Sequence, residues 1–557
     1  MKIIRNVSDP KYRCKVRHGR KPSLRRQKIW RGMTVIGRIN SSATGSTGGF
    51  PELPNAPKPS ATPPVSEDLL TIARKGFEHN DHGRKRVIVL GGGVAGLVAA
   101  FELERQGHEP IVLEAQHRIG GRIYTMRQFA PGLFAEAGAM RIPRVHTLTL
   151  AYCALFGLNL RPFIVDNPRA MVNLCGRSMT FEQAESHVDE LFKLADHERG
   201  KTWTQLWNEA TRDIKSIYDQ EGPAGWDRIM AEYDDYSLRQ FLKHKGWSDG
   251  AIEMYAIMSF REQNMNTAVV EQFFEIVGRC FEDMQYIEGG TDRLTEGFYR
   301  HISHRVRFGA DVQAIQQDES SVTVEYKNRG GRYSVTGDYA ICTLPFPVLS
   351  NIEIEPALSK AKRQAIRELR YNASTKILFQ VRRRFWEEPP YNILGGTTAT
   401  DLPIRRIVYP SPGSYAPDEE RGVLLASYTW GQDALRWGSL PEDECIYQAL
   451  EDVAKIHPEI MDVFEFGACH AWFNDPYAGG AFAQFEPGQA SRMQKHILEP
   501  EGRLLFAGEH CSLYHAWIQG ALESGLRAAK TIHEAPLSTS SGVRESAVLT
   551  GSAVGAM

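Results

Sequence analysis

The segment Arg86-Val-Ile-Val-Leu-Gly-Gly-Gly-Val-Ala-Gly96 decides how this chain of 557 residues folds. Its apolar run, Val87–Leu90, is typical of a strand buried inside a parallel sheet. Leu97–Gln106 predicts a helix, which Gly107 ends. Between strand and helix lie three glycines in the G-x-G-x-x-G spacing: Gly91, Gly93 and Gly96. A strand, a glycine turn and a helix in this order predict the first unit of a Rossmann-like α/β domain.

The spacing of these glycines indicates that the turn holds a dinucleotide. The first glycine permits the tight turn, the second lets the backbone approach a pyrophosphate, and the third lets helix and strand pack closely. The helix start adds free N–H groups and the positive end of the helix dipole. The next strand-like run ends at Glu114, at the spacing of a carboxylate that holds ribose hydroxyls. Arg118-Ile-Gly-Gly-Arg-Ile-Tyr124 then brings more N–H groups and the cation of Arg122 toward the phosphates.

Length, composition and charge exclude several classes of protein. A chain of 557 residues is too long for a single core, so two or three domains are expected. Apolar residues make up 42% and charged residues 24%, and the net charge of −1 gives no global field that would recruit nucleic acid. No stretch is long enough to span a membrane. The eight cysteines lack C-x-x-C spacing, so neither a metal site nor a disulfide framework is predicted, and mostly buried free thiols are expected.

The two ends of the chain differ in composition from the rest. Residues 1–66 are first basic and then rich in Ser, Thr, Pro and Gly, without helical or strand period, so they are predicted to be disordered. A solvated tail, a removable pro-segment and an organelle presequence are all open interpretations. The apolar core of a secretory signal is missing, so we expect a cytoplasmic protein or one secreted after processing. Residues 536–557 are small and polar and are expected to form a flexible tail without a membrane anchor.

Six further segments carry a resemblance to a known family. The chain resembles the flavin-dependent L-amino-acid oxidases of the monoamine-oxidase-like flavoprotein group, and is similar to the branch that includes the snake-venom enzymes. The resemblance covers residues 67–532. It is carried by Ala137-Gly-Ala-Met-Arg-Ile-Pro143, Tyr233-Asp-Asp-Tyr-Ser237, Glu288-Gly-Gly-Thr-Asp-Arg-Leu294, Ser374-Thr-Lys-Ile377, Thr398-Ala-Thr-Asp-Leu-Pro403 and the block that starts at Phe506.

The resemblance implies an α/β (α+β) fold of three parts. A Rossmann-like FAD-binding domain is expected from residues 67–123, 282–372 and 483–535. A mixed-sheet substrate-binding domain is expected from residues 124–180 and 373–482. Residues 181–281 lack strand patterning and carry repeated helix-like stretches, so a helical insertion is predicted there.

The resemblance also implies which residues contact the cofactor, FAD. Glu509 and the N–H groups after Gly508 match the family's contact to the ribityl and pyrophosphate groups. Trp517 matches the aromatic residue that faces the flavin ring. The implied FAD-binding residues are Gly91, Gly93, Val94, Ala95, Gly96, Glu114, Ala115, Gly121, Arg122, Gly138, Ala139, Met140, Arg141, Gly508, Glu509, Trp517 and Ile518.

Four residues match the family's catalytic positions. Arg141 matches the arginine that clamps the substrate carboxylate, and a planar guanidinium can hold a carboxylate with two hydrogen bonds. Tyr409 matches the second carboxylate contact, and Lys376 matches the lysine that holds a water against the flavin. The fourth position is that of Trp517. A salt bridge for Arg141, a surface charge for Lys376 and a core position for Tyr409 are the structural alternatives.

The substrate-binding set implied by the resemblance adds an aromatic pocket to these anchors. The carbonyl of Ala516 matches the acceptor for the substrate amine. Trp430, Phe482 and Trp517 suggest a pocket for a large apolar or aromatic side chain, and no carboxylate is assigned to it. Each of these aromatic residues could instead be plain core.

Two departures from the family limit what can be transferred. Ala481 stands where monoamine oxidases carry the cysteine that bonds FAD, so noncovalent FAD is implied. Snake-venom relatives carry a pocket histidine in the region of residues 271–281, and this chain has none there. No role of that histidine is therefore expected here.

The implied reaction is oxidative deamination of an L-amino acid by O2 to a 2-oxo acid, ammonia and hydrogen peroxide, with hydride transfer from Cα to flavin N5. No protein base for the amine is evident. A monooxygenase that releases an amide and CO2, an amine oxidase, and a binding module without turnover are the rival interpretations. The expected partners are an L-amino acid and O2, and a homodimer or higher homo-oligomer is expected.

Overall fold

The computed structural model of the protein describes residues 67–536. The disorder predicted for residues 1–66 and the flexible tail predicted after residue 536 lie outside the described residues. Within the described range, no helix is both long and apolar enough to cross a membrane.

Helices in the described part of the chain occur along its whole length. They are α1 (Glu67–Lys75), α2 (Val94–Arg105), α3 (Thr147–Leu155), α4 (Phe181–Ser186), α5 (Val188–Leu191), α6 (Trp203–Ala210), α7 (Arg212–Glu221), α8 (Pro223–Tyr233), α9 (Leu238–His244), α10 (Asp249–Met258), α11 (Val269–Val277), α12 (Asp292–Ile302), α13 (Phe346–Leu349), α14 (Lys360–Glu368), α15 (Gly431–Gly438), α16 (Glu442–Ala454), α17 (Ile460–Val463), α18 (Gln489–Leu498) and α19 (Ile518–Glu534).

Strands lie on both sides of a long helical stretch. They are β1 (Arg86–Leu90), β2 (Glu109–Glu114), β3 (Thr125–Met126), β4 (Ala135–Glu136), β5 (Ile142–Pro143), β6 (Leu160–Pro162), β7 (Met171–Leu174), β8 (Arg177–Thr180), β9 (Met284–Ile287), β10 (Val306–Phe308), β11 (Asp311–Gln317), β12 (Val322–Asn328), β13 (Gly331–Gly337), β14 (Tyr339–Cys342), β15 (Glu353–Glu355), β16 (Arg370–Asn372), β17 (Ser374–Val381), β18 (Thr397–Thr400), β19 (Arg406–Val408), β20 (Gly422–Trp430), β21 (Phe464–Ala471), β22 (Phe482–Gln484) and β23 (Leu504–Phe506).

A five-stranded parallel sheet of order β10-β2-β1-β14-β23 forms the core of one part of the molecule. Its central strand is fully buried from Val87 to Leu90 because helices cover the sheet, as parallel sheets require. The sheet confirms the Rossmann-like unit predicted from the glycine segment. Since the carboxyl ends of parallel strands lie at one edge, the loops after β1, β2, β14 and β23 converge there.

Helix α2 packs unusually closely on both its own strand and α19. A Cβ atom at Gly96 would lie 2.1 Å from the carbonyl oxygen of Gly91. A Cβ atom at Gly525 would lie 2.4 Å from the carbonyl oxygen of Ala95. Both distances are shorter than van der Waals contact allows, so only glycine fits at these two positions of the packed helices.

A seven-stranded mixed sheet of order β21-β17-β20-β19-β18-β7-β8 forms the second layer, as predicted for the mixed-sheet part. All eight residues of β17 are buried. Antiparallel partners flank this strand on both sides, which places Lys376 opposite Tyr428 in β20 and opposite His470 in β21. The lysine is therefore held at the centre of a rigid sheet.

Residues 181–277 form α4–α11 without an intervening strand, which confirms the predicted helical insertion. Three of these helices begin with a capping box, in which a Ser or Thr side chain accepts from the N–H three residues on and a Gln side chain returns the bond. The pairs are Thr180 with Gln183, Thr202 with Gln205, and Ser237 with Gln240. The exact boundaries proposed for the three parts stay predictions.

Candidate active site

A deep cavity lies where the parallel sheet edge, the mixed sheet and the helical insertion meet, and it encloses about 2090 Å³ of space that opens to solvent. Nearly every residue predicted for the site lines it. These residues are Gly91, Gly93, Val94, Ala95, Glu114, Ala115, Gly121, Arg122, Gly138, Ala139, Met140, Arg141, Lys376, Trp430, Phe482, Gly508, Glu509, Ala516, Trp517 and Ile518. Gly96 and Tyr409 do not line the cavity. Gly96 acts through helix packing instead, and Tyr409 is treated below.

The glycine turn and Glu114 form one end of the cavity. Gly91 has a φ of +104°, which only glycine adopts easily. A Cβ atom at Gly93 would meet no atom within 4 Å, so the backbone at Gly93 faces open space. The Glu114 carboxylate accepts the N–H groups of Gly92 and Gln116, each at 2.7 Å. Burial raises the pKa of Glu114 despite these bonds.

An ion pair between Arg122 and Glu509 lies in the middle of the cavity wall. Arg122 Nη1 lies 2.6 Å from Glu509 Oε1 and also donates to the carbonyl of Ala481 at 3.2 Å. Glu509 Oε2 accepts the N–H of Ala516 at 2.9 Å. Burial alone would raise the pKa of Glu509, but Arg122, His515, His510 and the N–H of Ala516 together outweigh burial, and the pKa is lowered. The pair thus joins segments from both ends of the chain.

Arg141 projects into the cavity without a partner in the protein. Among residues 67–536 no hydrogen bond or ion pair holds its guanidinium, which lies 5.9 Å from the ring centroid of Phe163 and 5.7 Å from that of Phe281. Burial lowers its pKa, while Tyr428 acts in the opposite direction. A structural salt bridge is therefore excluded for Arg141. A half-buried guanidinium that faces a cavity without a counter-charge is a site for a carboxylate ligand.

Lys376 lies beside the loop that carries Arg141. Its Nζ donates to the carbonyls of Gly138 at 2.7 Å and Glu136 at 3.1 Å, and it lies 4.6 Å from the ring centroid of Tyr428. Burial lowers the pKa of Lys376, opposed by the nearby Glu136 carboxylate. Lys376 is thus a fully buried amine rather than a surface charge.

The structure does not bring Tyr409, which was predicted to contact the substrate carboxylate, to the cavity. Its side chain is fully buried, and its hydroxyl hydrogen-bonds Thr398 Oγ1 at 2.7 Å and His457 Nε2. Tyr428 lines the cavity instead. Side chains two apart on a strand share a face, so the placement of Trp430 in the pocket could have identified Tyr428 from the sequence.

Comparison with known proteins agrees with this geometry. A family model described as flavin containing amine oxidoreductase matches residues 94–533. The chain belongs to this family. It is 36% identical over 486 residues to YobN of Bacillus subtilis (strain 168), covering 85% of this chain and 99% of that protein. It is 34% identical over 478 residues to the L-amino-acid oxidase of Siganus canaliculatus (85% and 89% covered) and 33% identical over 483 residues to that of Vipera ammodytes ammodytes (84% and 96% covered).

Solved structures of the same fold include amine oxidases. Cyclohexylamine oxidase from Brevibacterium oxydans IH-35A superposes with a TM-score of 0.66 at 19% identity, covering 81% of this chain and 99% of that one. A putrescine oxidase double mutant redesigned in cofactor binding superposes with a TM-score of 0.67 at 19% identity, with the same coverage. At this identity the likeness shows the fold of the flavin amine oxidoreductase family.

The family implies a flavin cofactor, and the cavity fits one. The cavity runs from the glycine turn to the aromatic residues. Near the glycine turn, free N–H groups and the N-terminal end of α2 can bind phosphates, and an acidic residue can bind ribose hydroxyls. At the other end the indole Nε1 atoms of Trp430 and Trp517 are buried without a hydrogen-bond partner. The same cavity is lined by the glycine turn at one end and by the aromatic residues at the other, so cofactor and substrate can share it.

The connection between β21 and β22, residues 472–481, crosses from the mixed sheet to the dinucleotide half along this cavity. Trp472 Nε1 donates to the carbonyl of Ala137 at 2.8 Å. Asp475 accepts from Gln116 Nε2 at 3.2 Å, and Arg122 donates to the carbonyl of Ala481. The contacts of Asp475 and Ala481 thus join the two halves beside the cavity.

Aromatic residues form another part of the cavity wall. The ring centroids of Trp430 and Phe482 lie 5.6 Å apart, edge to face. Trp517 packs edge to face against His146 at 5.0 Å and against Phe281 at 5.9 Å. The residue before it, Ala516, has a φ of +65°, a conformation that its hydrogen bond to Glu509 stabilises.

Sequence reasoning missed a polar wall that the helical insertion contributes. Carboxylates do line this part of the cavity, contrary to expectation: Glu271 and Glu275. Each has a protein partner, since Glu271 lies 2.9 Å from His515 Nδ1 and Glu275 lies 3.1 Å from Arg261. Nothing local in the sequence signals these positions, because helix docking alone decides which face of α11 meets the cavity.

Proposed function

We propose that the protein is an FAD-dependent oxidase of L-amino acids. The observation that carries this proposal is Arg141, an unpaired, half-buried guanidinium that lies in the cavity near the rings of Phe163 and Phe281. A neutral or cationic ligand would leave that charge uncompensated, whereas an α-carboxylate neutralises it with two charge-assisted hydrogen bonds. The relatives named L-amino-acid oxidases support the same conclusion.

Noncovalent FAD is the proposed cofactor. Its pyrophosphate would bind at Gly91–Gly93 and the start of α2, and its ribose at Glu114. This chain has Ala481, which carries no thiol, at the position where monoamine oxidases carry the cysteine that bonds FAD. Cys511 does not line the cavity, and its Sγ faces the carbonyl of Ile497 at 3.9 Å. The bound flavin supplies the chemistry of accepting a hydride from Cα and passing the electrons to O2, which gives hydrogen peroxide.

The side chains and backbone of the protein orient the substrate. Arg141 binds the carboxylate, and Tyr428, which lies on the same side of the cavity, replaces Tyr409 as the second contact. The carbonyl of Ala516 accepts from the substrate amine. Fixing the two polar ends of an amino acid fixes its Cα–H bond, and such orientation supplies a large share of a rate enhancement.

Proton handling at the site falls to buried groups. The amine must be neutral when hydride leaves, and the dry aromatic wall favours loss of its proton. Lys376, whose pKa burial lowers, is held by two carbonyls and is proposed to hold a water in the cavity. The imino acid then hydrolyses to a 2-oxo acid and ammonia.

A large apolar or aromatic side chain is the proposed specificity. Trp430 and Phe482 form one wall of the pocket, and Phe274 and Phe281 from the helical insertion form another. Because Glu271 and Glu275 are already paired within the protein, neither is free to bind a cationic side chain. The pocket therefore favours apolar over basic substrates.

The test is a peroxide-coupled screen of the twenty L-amino acids, several D-forms and simple amines, with the full chain and with a chain lacking residues 1–66. The proposal expects peroxide and 2-oxo acid from L-forms only. An amide and CO2 in place of these products would identify a monooxygenase. Turnover of amines but not of amino acids would refute the assignment of Arg141. The mass of the assembly in solution tests the predicted homo-oligomer.

A further inference from the structure

Two cysteine side chains touch each other outside the cavity. The Sγ atoms of Cys445 and Cys469 lie 3.3 Å apart, although the residues are 24 positions apart in the chain. Both are free thiols. Within residues 67–536 no other two thiols are in such contact. The other described cysteines are Cys153, Cys280, Cys342 and Cys511, which are buried, and Cys175, which is exposed.

The backbone positions of the two cysteines are fixed by well-packed elements. Cys445 lies at the start of α16 and is fully buried in the core beneath the mixed sheet. Cys469 lies in β21, opposite Ile377 of β17, and is partly exposed. Its N–H donates to Glu442 Oε1 in the first turn of α16 at 3.3 Å. Helix and strand are thus held together at the point where the sulfurs meet.

We propose that Cys445 and Cys469 form a reversible redox site, which a hydroperoxide oxidises from a dithiol to a disulfide. A disulfide needs an S–S distance of about 2 Å, so the two sulfurs must approach each other by about 1 Å to bond. The proposed function supplies hydrogen peroxide as the oxidant. The site itself does not depend on that source, because any small hydroperoxide can reach the exposed side of Cys469.

The chemistry balances in two steps. The thiolate of Cys469 attacks one peroxide oxygen, the O–O bond breaks, and the sulfur becomes a sulfenic acid while hydroxide takes a proton and leaves as water. The sulfur of Cys445 attacks the sulfenic sulfur, the S–O bond breaks, and a second water leaves. Two thiols thereby lose two hydrogens and two electrons, and one hydrogen peroxide becomes two waters.

The environment makes this oxidation slow and pH-dependent. Contact with the Cys445 thiol, and then burial, raise the pKa of Cys469 well above its ordinary value. Since the thiolate is the nucleophile, the rate should rise with pH across the range from neutral to alkaline. The pair then stays reduced at low peroxide and is oxidised as peroxide accumulates.

The expected structural effect is on the strand next to Lys376. His470, the residue after Cys469, is paired opposite Lys376. A disulfide would attach α16 covalently to β21 at this place. We expect the oxidised protein to lose activity more slowly on heating than the reduced protein.

The experiment uses the full chain loaded with flavin and exposed to hydrogen peroxide at several pH values. Remaining thiols are alkylated in denaturant, and the protein is digested without reductant for mass spectrometry. A linked Cys445–Cys469 peptide that dithiothreitol reverses supports the proposal. Cys342 and Cys511, equally buried but without a thiol contact, are the internal controls and should be alkylated in full.

The variants Cys445→Ser and Cys469→Ser separate this site from general damage. Cys469 should stop at the sulfenic or sulfinic state in Cys445→Ser. The proposal is overturned if no linked peptide forms in wild type at a dose that fully oxidises Cys175. It is also overturned if Cys469 is oxidised beyond sulfenic acid equally in wild type and Cys445→Ser.

A second arm tests the enzyme's own peroxide. Turnover of an L-amino acid should produce the linked peptide, and catalase should prevent it. A protein that releases peroxide during turnover but stays reduced overturns the role of the product as oxidant. A protein that releases none contradicts the proposed function, while added peroxide still decides whether the redox site exists.

Discussion

Replacing Arg141 by Met tests the central feature of the proposed site. The substitution keeps an unbranched, flexible side chain, although a shorter one, and removes the charge that would hold a carboxylate. A substrate carboxylate would then be buried without a partner, which costs about 3–5 kcal/mol. At about 1.4 kcal/mol per factor of ten, kcat/KM for an L-amino acid should fall roughly 100-fold to 4,000-fold.

The structure also predicts that the same variant is more stable. Arg141 is a half-buried cation with no hydrogen-bond or ion-pair partner among residues 67–536, so its removal should raise the free energy of unfolding by up to about 1 kcal/mol. Loss of activity together with a higher melting temperature cannot come from misfolding. Arg141→Lys keeps a charge but cannot form two parallel hydrogen bonds, and should lie between wild type and Arg141→Met.

The assay is steady-state kinetics by peroxide coupling, with flavin absorbance as a measure of cofactor content. Arg144→Met is the matched control, because Arg144 is three residues on and does not line the cavity. Its kcat/KM should stay within about threefold of wild type, as expected for a position away from the site. If Arg141→Met kept kcat/KM within that range with full flavin content, the carboxylate anchor would lie elsewhere and the reasoning would be refuted.

Three further predictions rest on other contacts. Tyr428→Phe should lower kcat/KM about 10-fold to 100-fold, because it loses a hydrogen bond to a charged group. Tyr409→Phe should instead leave the KM unchanged and lower the melting temperature. Equal effects of the two variants on KM would contradict the proposal that Tyr428 replaces Tyr409 as the second carboxylate contact. Asp475→Ala removes the hydrogen-bond acceptor of Gln116 and should speed flavin release several-fold. The release rate is measured as the rate at which flavin fluorescence appears on dilution. An unchanged rate would show that the contact between Asp475 and Gln116 does not retain the cofactor. Burial lowers the pKa of His108 to about 4, so the unfolded chain binds the extra proton between pH 6.5 and 4. The free energy of unfolding should therefore fall by up to about 3 kcal/mol over that range. A denaturant series at several pH values should show a flatter profile for His108→Asn.

The parts of the site that follow strand ends could be predicted from the sequence. The glycine turn, Glu114 and Gly508 are adjacent in the chain to the strands that position them, so local order and spacing are sufficient. Arg141 and Lys376 were placed through segments that resemble the family, and the structure brings both to the cavity.

The errors have a different physical origin. Tyr409 and Tyr428 lie in neighbouring parts of the same sheet, and which one faces the cavity depends on the face that each strand presents. The polar wall of α11 depends on how a helix docks, and the thiol contact depends on a helix meeting a strand 24 residues away. Such pairings between distant elements leave no local pattern in one sequence.

The position of β23 at the edge of the parallel sheet has a consequence for synthesis on the ribosome. This strand pairs with β14, and the residues that follow it supply Gly508, Glu509 and Trp517 to the cavity. A growing chain has made the glycine turn long before it makes this last strand. The nascent protein must therefore wait, with an open sheet edge and an unfinished flavin pocket, until Leu504 and the residues that follow it have been translated. We expect chains that end before Leu504 to be degraded by the cell's proteases without having bound the cofactor.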